Sequence, residues 1–582
     1  MSQTKSSYTL AIDKYYIAAS GTPFTKEGLF SPLGSYGERP DISVVAHQDN
    51  SYSIAWLGRK SKKIKISMVS ADHQLIKEIE PSYLPEKTFL LGFTALPNHS
   101  GFVIGYSRDN EHGNLNYEYW ITHLDTAGTM VFNTRVFGDR PASEEKSKGE
   151  PAEAATARII YHPNLKTIFF YLGHKMKWHD GVRHQGGYLG KMDLSGNFKG
   201  INTWLVSHNF DQRIIACEQD IAVAYHGDAY PRALGVRHFK QGDRAGPKGD
   251  FFNIEGEIGQ NRTSTLLGGL VYLGRGRYGV SFATSQGKAK YEPAYRFLRP
   301  EGYKLAVHKT KWFGVATGST AALPTLTMRD NGRLLVGFEE LDEEIGKGIY
   351  TRFYTRKHQQ RTVFQEIDHN GRVLTERMEF HDVQLPSTHE MVRLPNGNII
   401  WAIASNSKDE GPEGSYHTKA DQFTVFCIDR KNNNKRLYDS YDATYEKVMF
   451  DEGSGGFLIV NSTLKKNRKI LIQITSGMAK EGDRIVLVPN TNKGTYKFTD
   501  ALINDTPFKF LSLSKLSAKS TEKLKEAYGR GNKNLLITVP TNTSREQMIT
   551  FLSPLAKRLK THDELLVVSG DQTYSIHKAD LL

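Results

Sequence analysis

TLTMRDNGRLLVGF (residues 325–338), followed by VFQEIDHNGRVLTERMEF (363–380), is the stretch that decides the architecture. Each piece is an apolar run, a tight polar turn and a second run, the pattern of an antiparallel hairpin. Asp-Asn-Gly in the first and Asp-x-x-Gly in the second (Asp368, Gly371) supply the turn conformations a short reversal needs.

The first hairpin recurs as TALPNHSGFVIGY (94–106), IIYHPNLKTIFFYL (159–172) and EMVRLPNGNIIWAI (390–403). Looser copies stand at 42–57, 213–226, 270–283 and 447–460. The second recurs at 119–137 and 187–206, with Asp125/Gly128 and Asp193/Gly196 at the turn. Turn chemistry accounts for these aspartates, because the ligand density of a calcium loop is missing. Two hairpins in series make a four-stranded sheet, and recurrence about every 45 to 60 residues is the signature of a β-propeller. Eight first hairpins predict seven or eight blades over residues 41–500. The segment YTLAIDKYYIAA (8–19), within an N-terminal stretch 1–40, is placed to supply a ring-closing strand. From 505 to 582 the pattern becomes β-α-β-α-β, a small α/β domain. Its second helix is expected from Thr543, with Glu546 completing a capping box.

Composition narrows the function classes. Only two cysteines occur, Cys217 and Cys427, each inside an apolar run, so buried thiols are expected and no disulfide framework or cysteine zinc site follows. No cofactor or metal motif is found: GRGNKN (529–534) is too short for a dinucleotide fingerprint. The net charge of +13 favours acidic partners without specifying one. No nucleic-acid-binding motif, transmembrane segment or cleavable signal is recognisable, so a cytoplasmic location is the default expectation, with export independent of a signal left open.

In a propeller, connections leaving each blade's second strand and those leading into its first strand share one face. The turns on the other face here are short; the connections on this face are long and polar. They include GHKMKWHDGVRHQGG (173–187), VSHNFDQR (206–213), HGDAYPR (226–232), EELDEEIGKG (339–348) and FHDVQLPSTHE (380–390). Nine of the 20 histidines fall in such segments, which marks this face as the place for binding or catalysis. The acidic run at 339–346 is expected to be a solvated loop, and 138–156 a flexible insertion.

The densest group comes from the third and fourth blades. Trp178, His179, Asp180, Arg183 and His184 would face His208, Asp211, Gln212 and Arg213, with His226, Asp228, Tyr230 and Arg232 alongside and His389 farther round. The segments at 206–232 resemble uncharacterised bacterial propeller-type repeat proteins, a resemblance that implies architecture and no activity. The His/Tyr/Arg set is similar in kind to that of propeller polysaccharide lyases. That similarity implies catalysis by His208, His226, Tyr230, Arg213 and Arg232, a His or Tyr taking the proton while Arg neutralises a uronate. With no complete catalytic motif present, the primary expectation is a non-enzymatic propeller whose loop face recognises a protein or an acidic glycan. A lyase is the alternative.

Overall fold

The computed structural model describes residues 10–21, 42–109, 117–137, 147–149, 157–178, 183–342, 359–407, 420–488, 499–529, 534–555 and 564–581, apart from interruptions of one to three residues. The chain divides into two compact units: Ile12–Ile428, and Asp429–Leu582 with Met1–Ala11.

The first unit is a seven-bladed β-propeller. Blade 1 runs Ile42–Ala46, Tyr52–Leu57, Ile64–Val69, Leu75–Ile79, each strand antiparallel to the last. Blades 2 to 6 repeat this order from Phe89, Ala157, Ser207, Thr265 and Ser319. Single bridges, Gly186 to Ser207 and Lys248 to Lys304, tie blades 3, 4 and 5 together. Blade 7 takes Val392–Arg393, Ile399–Ser405 and Gln422–Ile428 from late in the unit and its outermost strand, Asp13–Ala18, from the beginning. The innermost strands touch in turn from blade 1 to blade 7 and back to blade 1, so the ring is closed.

Alternating apolar residues fill the spaces between blades. Trp56 and Val425 belong to the layer between blades 7 and 1, Phe170 and Ile121 to that between 2 and 3, and Tyr171 and Val223 to that between 3 and 4. The Asp-x-x-Gly turns are built alike. Asp125 Oδ1 accepts from the backbone N–H of Ala127 and Thr129, Asp193 from Ser195 and Asn197, Asp368 from Asn370 and Arg372. Gly128, at φ +88°, is needed twice over: a Cβ there would also strike Ile79 of the preceding blade. Cys217 and Cys427 are buried, and neither is in a disulfide.

Two sequence expectations change. The hairpin at 447–460 is not a blade. Its strands, Tyr445–Phe450 and Phe457–Asn461, open the eight-stranded sheet of the second unit. The propeller stops at Ile428 because Asp429 caps a helix, α1 (Arg430–Ser440), its side chain accepting from the Asn432 N–H. Phe457–Asn461 then pairs parallel with Arg484–Leu487 across α2 (Arg468–Lys480), a crossover no blade contains. The α/β fold therefore starts at Asp429, about seventy-five residues before the expected 505. It ends as foreseen, with parallel strands Thr506–Ser512, Leu535–Val539 and Glu564–Ser569 around α3 (Ala518–Gly529) and α4 (Arg545–Leu552). The cap of α4 is Ser544 rather than Thr543, with Gln547 returning the bond. No helix among the described residues is long and apolar enough to cross a membrane.

Candidate binding site

Three positions on or just ahead of an innermost strand carry a charge before an apolar run: Arg158 before Ile159, Arg213 before Ile214, and Glu390 before Met391. A blade's first strand starts at the loop face beside the axis, so equivalent positions on different blades converge. Glu390, on the segment leading into blade 7, meets both Arg158 of blade 3 (Nε to Oε1, 2.9 Å) and Arg213 of blade 4 (Nε to Oε1, 2.7 Å). Arg213 also donates to Asp211 at 2.7 Å, two residues earlier on the same side of the strand. Asp211 lies 3.9 Å from Arg158. The bulge between Asn209 and Asp211 fixes this register, setting Asp211 opposite His226. Gln212, on the other side, donates to the Tyr171 carbonyl of blade 3.

Two guanidinium groups and two carboxylates thus form a charge-balanced quartet across the channel. Burial alone would push the Glu390 carboxyl up; Arg158 and Arg213 override it and hold the group at about 2. Burial would lower Arg213, and Asp211 with Glu390 raise it instead. Although surrounded by protein, Glu390 keeps 36% of its side chain accessible, because it stands on the wall of a cavity. That cavity, roughly 280 Å³, is lined by the innermost strands of blades 1 to 3 together with Ile214, His389, Glu390 and Val392.

The other predicted site residues differ in burial and in bonding. His226 is buried, its Nε2 paired with Thr263 Oγ1 at 2.9 Å, and burial drives its pKa down to about 4. Arg232 is committed to backbone, donating to the carbonyls of Glu255 (3.0 Å) and Gln260 (2.6 Å). Asp228 is fully buried, and Tyr230, next to it along the connection, is 74% exposed. The described residues therefore bring Asp211, Arg213 and Glu390 together, with His389 on the cavity wall; His226 lies across the strand pair from Asp211, within reach of the charges of Asp211, Arg232 and Arg213, but is itself buried, while Tyr230 is exposed. His208 lies on the strand Ser207–Cys217; Trp178, Arg183 and His184 lie on the long central hairpin of blade 3, where Met176 pairs with His184. His179 and Asp180 fall outside the described residues. The insertion 138–156 contributes a strand, Ser147–Gly149, paired to Met176–Trp178. Arg158 and Glu390 were not among the predicted site residues, though the repeated charge before an innermost apolar run was a usable signal.

The acidic run is no solvated loop where it is described. Glu339 and Glu340 are fully buried at the end of a blade 6 strand. Glu340 is held by Arg377 (2.6 Å) and Arg361 (3.2 Å), and Glu339 accepts from the Leu385 N–H. A carboxylate at that depth requires such partners.

Two acid-sensitive windows follow. The unfolded chain protonates a histidine near 6.5, whereas His226 stays neutral down to about 4. Between those values the unfolded state binds more protons, so stability falls as pH drops, by roughly 3 kcal/mol in all. Glu390 acts lower down. Its contribution is complete above 4.5 and is lost as pH falls toward 2, about 1 kcal/mol once screening in the accessible channel is counted. Thermal midpoints of wild type and His226→Gln from pH 7 to 4 check this. The variant's profile is expected to be flatter, and parallel profiles would exclude His226 as the titrating group.

No protein-family model and no curated protein match the chain. Among solved structures, it is similar to a subtype N10 neuraminidase-like protein of A/little yellow-shouldered bat/Guatemala/060/2010 (9% identity, 56% of this chain and 96% of that one, TM-score 0.33). It is also similar to quinohemoprotein alcohol dehydrogenase from Comamonas testosteroni (9%, 74% and 78%, TM-score 0.33) and α-L-arabinofuranosidase from Lactobacillus brevis (8%, 59% and 95%, TM-score 0.31). At such scores these likenesses carry no argument; the propeller rests on its own strand pairing.

Proposed function

We propose that the protein is a binding module whose propeller loop face takes a glycan partner. The observation that carries this reading is the commitment of the ionisable groups at the channel mouth. Arg213, Asp211, Arg158 and Glu390 satisfy one another, and Arg232 is spent on carbonyls. A lyase needs a base beside its substrate and a cation left to meet the uronate. His226, neutral and bonded to Thr263 in the interior, does not have the setting of such a base. A binding surface needs neither. It needs rigid polar groups and an aromatic face, and the exposed ring of Tyr230 on the same side of the propeller offers the second.

A glycan array with the full chain, followed by titration of the best ligand, tests the reading. Tyr230→Ala is expected to weaken binding about tenfold, the loss of one stacking contact. Wild-type protein that binds no glycan, or that releases unsaturated product from acidic polysaccharide, would replace this function with protein recognition or with a lyase.

A further inference from the structure

We infer that the cavity in the propeller channel is a subsite for one uncharged, polyhydroxylated unit, a neutral hexose or similar residue at the end of the glycan. The inference rests on the glycan-binding reading and adds the chemistry of the unit that enters the channel.

The walls argue for hydroxyl groups. Stretches of consecutive residues, Ser43–Ala46, Gly92–Ala95 and Ala157–Ile160, line the space. Side chains alternate along a strand, so an unbroken run is explained by a strand presenting its backbone edge. Each of these innermost strands has a hydrogen-bonded neighbour on one side only. Its other edge offers N–H and C=O groups toward the axis, and these must be met by water or ligand. A sugar ring carries both donors and acceptors at closely spaced positions and can replace several waters at once.

The charges argue against an ionic unit. Arg158 and Arg213 are matched by Glu390 and Asp211. A uronate or sulfate entering here would compete for guanidinium groups already paired and set its charge against the carboxylates of Glu390 and Asp211. A hydroxyl can donate to a carboxylate without breaking the pair. Glu390 has the acceptor for it: both guanidinium contacts end on Oε1, and among the described residues Oε2 makes no hydrogen bond. Val392, partly buried on the lining, suits the C–H face of a sugar ring. At roughly 280 Å³ the cavity has room for one such unit.

The test is calorimetric titration and saturation-transfer NMR of the full chain with neutral hexoses, N-acetylhexosamines and their disaccharides, with the matching uronates in parallel. At least one neutral sugar is expected to bind saturably and at least tenfold more tightly than its uronate. Glu390→Gln, which exchanges the Oε2 acceptor for a donor, is expected to weaken it about tenfold or more. Thr94→Val, nearly isosteric and on the cavity wall, serves as the second variant, with an expected loss of several-fold. Preference for the uronate overturns the neutral class, and unchanged affinity in both variants overturns the location. If the array shows glycan binding while no neutral sugar binds, the subsite is wrong and the loop-face reading stands. If neither is seen, both fall.

Discussion

Replacing Glu366 with alanine is expected to lower the unfolding free energy by about 3–5 kcal/mol, the cost of breaking a buried ion pair by removing one partner. Glu366 lies on the third strand of blade 6 with no accessible surface, and its carboxylate is shared by Arg329 and Arg333, themselves nearly inaccessible. Arg333 donates to Oε2 at 2.6 Å, and Arg329 to Oε1. Truncation takes the shared carboxylate away from two guanidinium groups in a place water does not reach, so the penalty comes mainly from their desolvation rather than from the lost attraction. Glu366→Gln keeps the oxygen that accepts from one arginine and should cost less. The triple replacement Glu366→Leu, Arg329→Met, Arg333→Met should come back close to wild type, since an apolar trio needs no pairing. Urea denaturation of the full chain measures all three. A Glu366→Ala protein within about 1 kcal/mol of wild type would mean that water or rearranged partners already serve the arginines.

What was legible in the sequence was whatever is encoded locally. The Asp-x-x-Gly turns at 125–128, 193–196 and 368–371 could be read because the carboxylate, the N–H groups it binds and the glycine lie within five residues. First hairpins were visible for the same reason. The misread one, 447–460, has correct hairpin chemistry; only its continuation through α2 to a parallel partner distinguishes it from a blade. Ion pairs were illegible because their partners are remote. Arg158 and Glu390 are separated by 232 residues, and only ring closure brings them together. Glu340 looked solvated among acidic neighbours because its partners are remote in sequence: Arg361 is on the next strand of its blade and Arg377 stands just ahead of the outermost one. In a propeller the strands of a blade are near in sequence, whereas the axis gathers residues from every blade. The scaffold is therefore written locally and the site is not.

Ring closure also sets the second large effect. Ile17→Asp is expected to destabilise the propeller by about 4 kcal/mol or more, combining the loss of a buried aliphatic side chain with an unpaired charge in its place. Ile17 is 2% exposed on the strand Asp13–Ala18, where it pairs with Phe423 and packs into the layer shared by blades 7 and 1 with Trp56 and Val425. Its neighbour Tyr16, on the same strand, is 63% exposed. Tyr16→Asp is therefore the matched control and should move stability by no more than about 0.5 kcal/mol. The pair separates closure from strand chemistry, since each adds one aspartate to the same six-residue strand. Loss of this strand would bare the Gln422–Ile428 edge, which predicts faster proteolysis and concentration-dependent aggregation of Ile17→Asp below its melting temperature. It would also unseat blade 7, which carries Glu390 to the axis, so the sugar binding proposed for the channel should fall along with stability. Equal midpoints for the two variants, or a destabilised Ile17→Asp that neither aggregates nor loses the channel contacts, would show that the ring holds without its first strand.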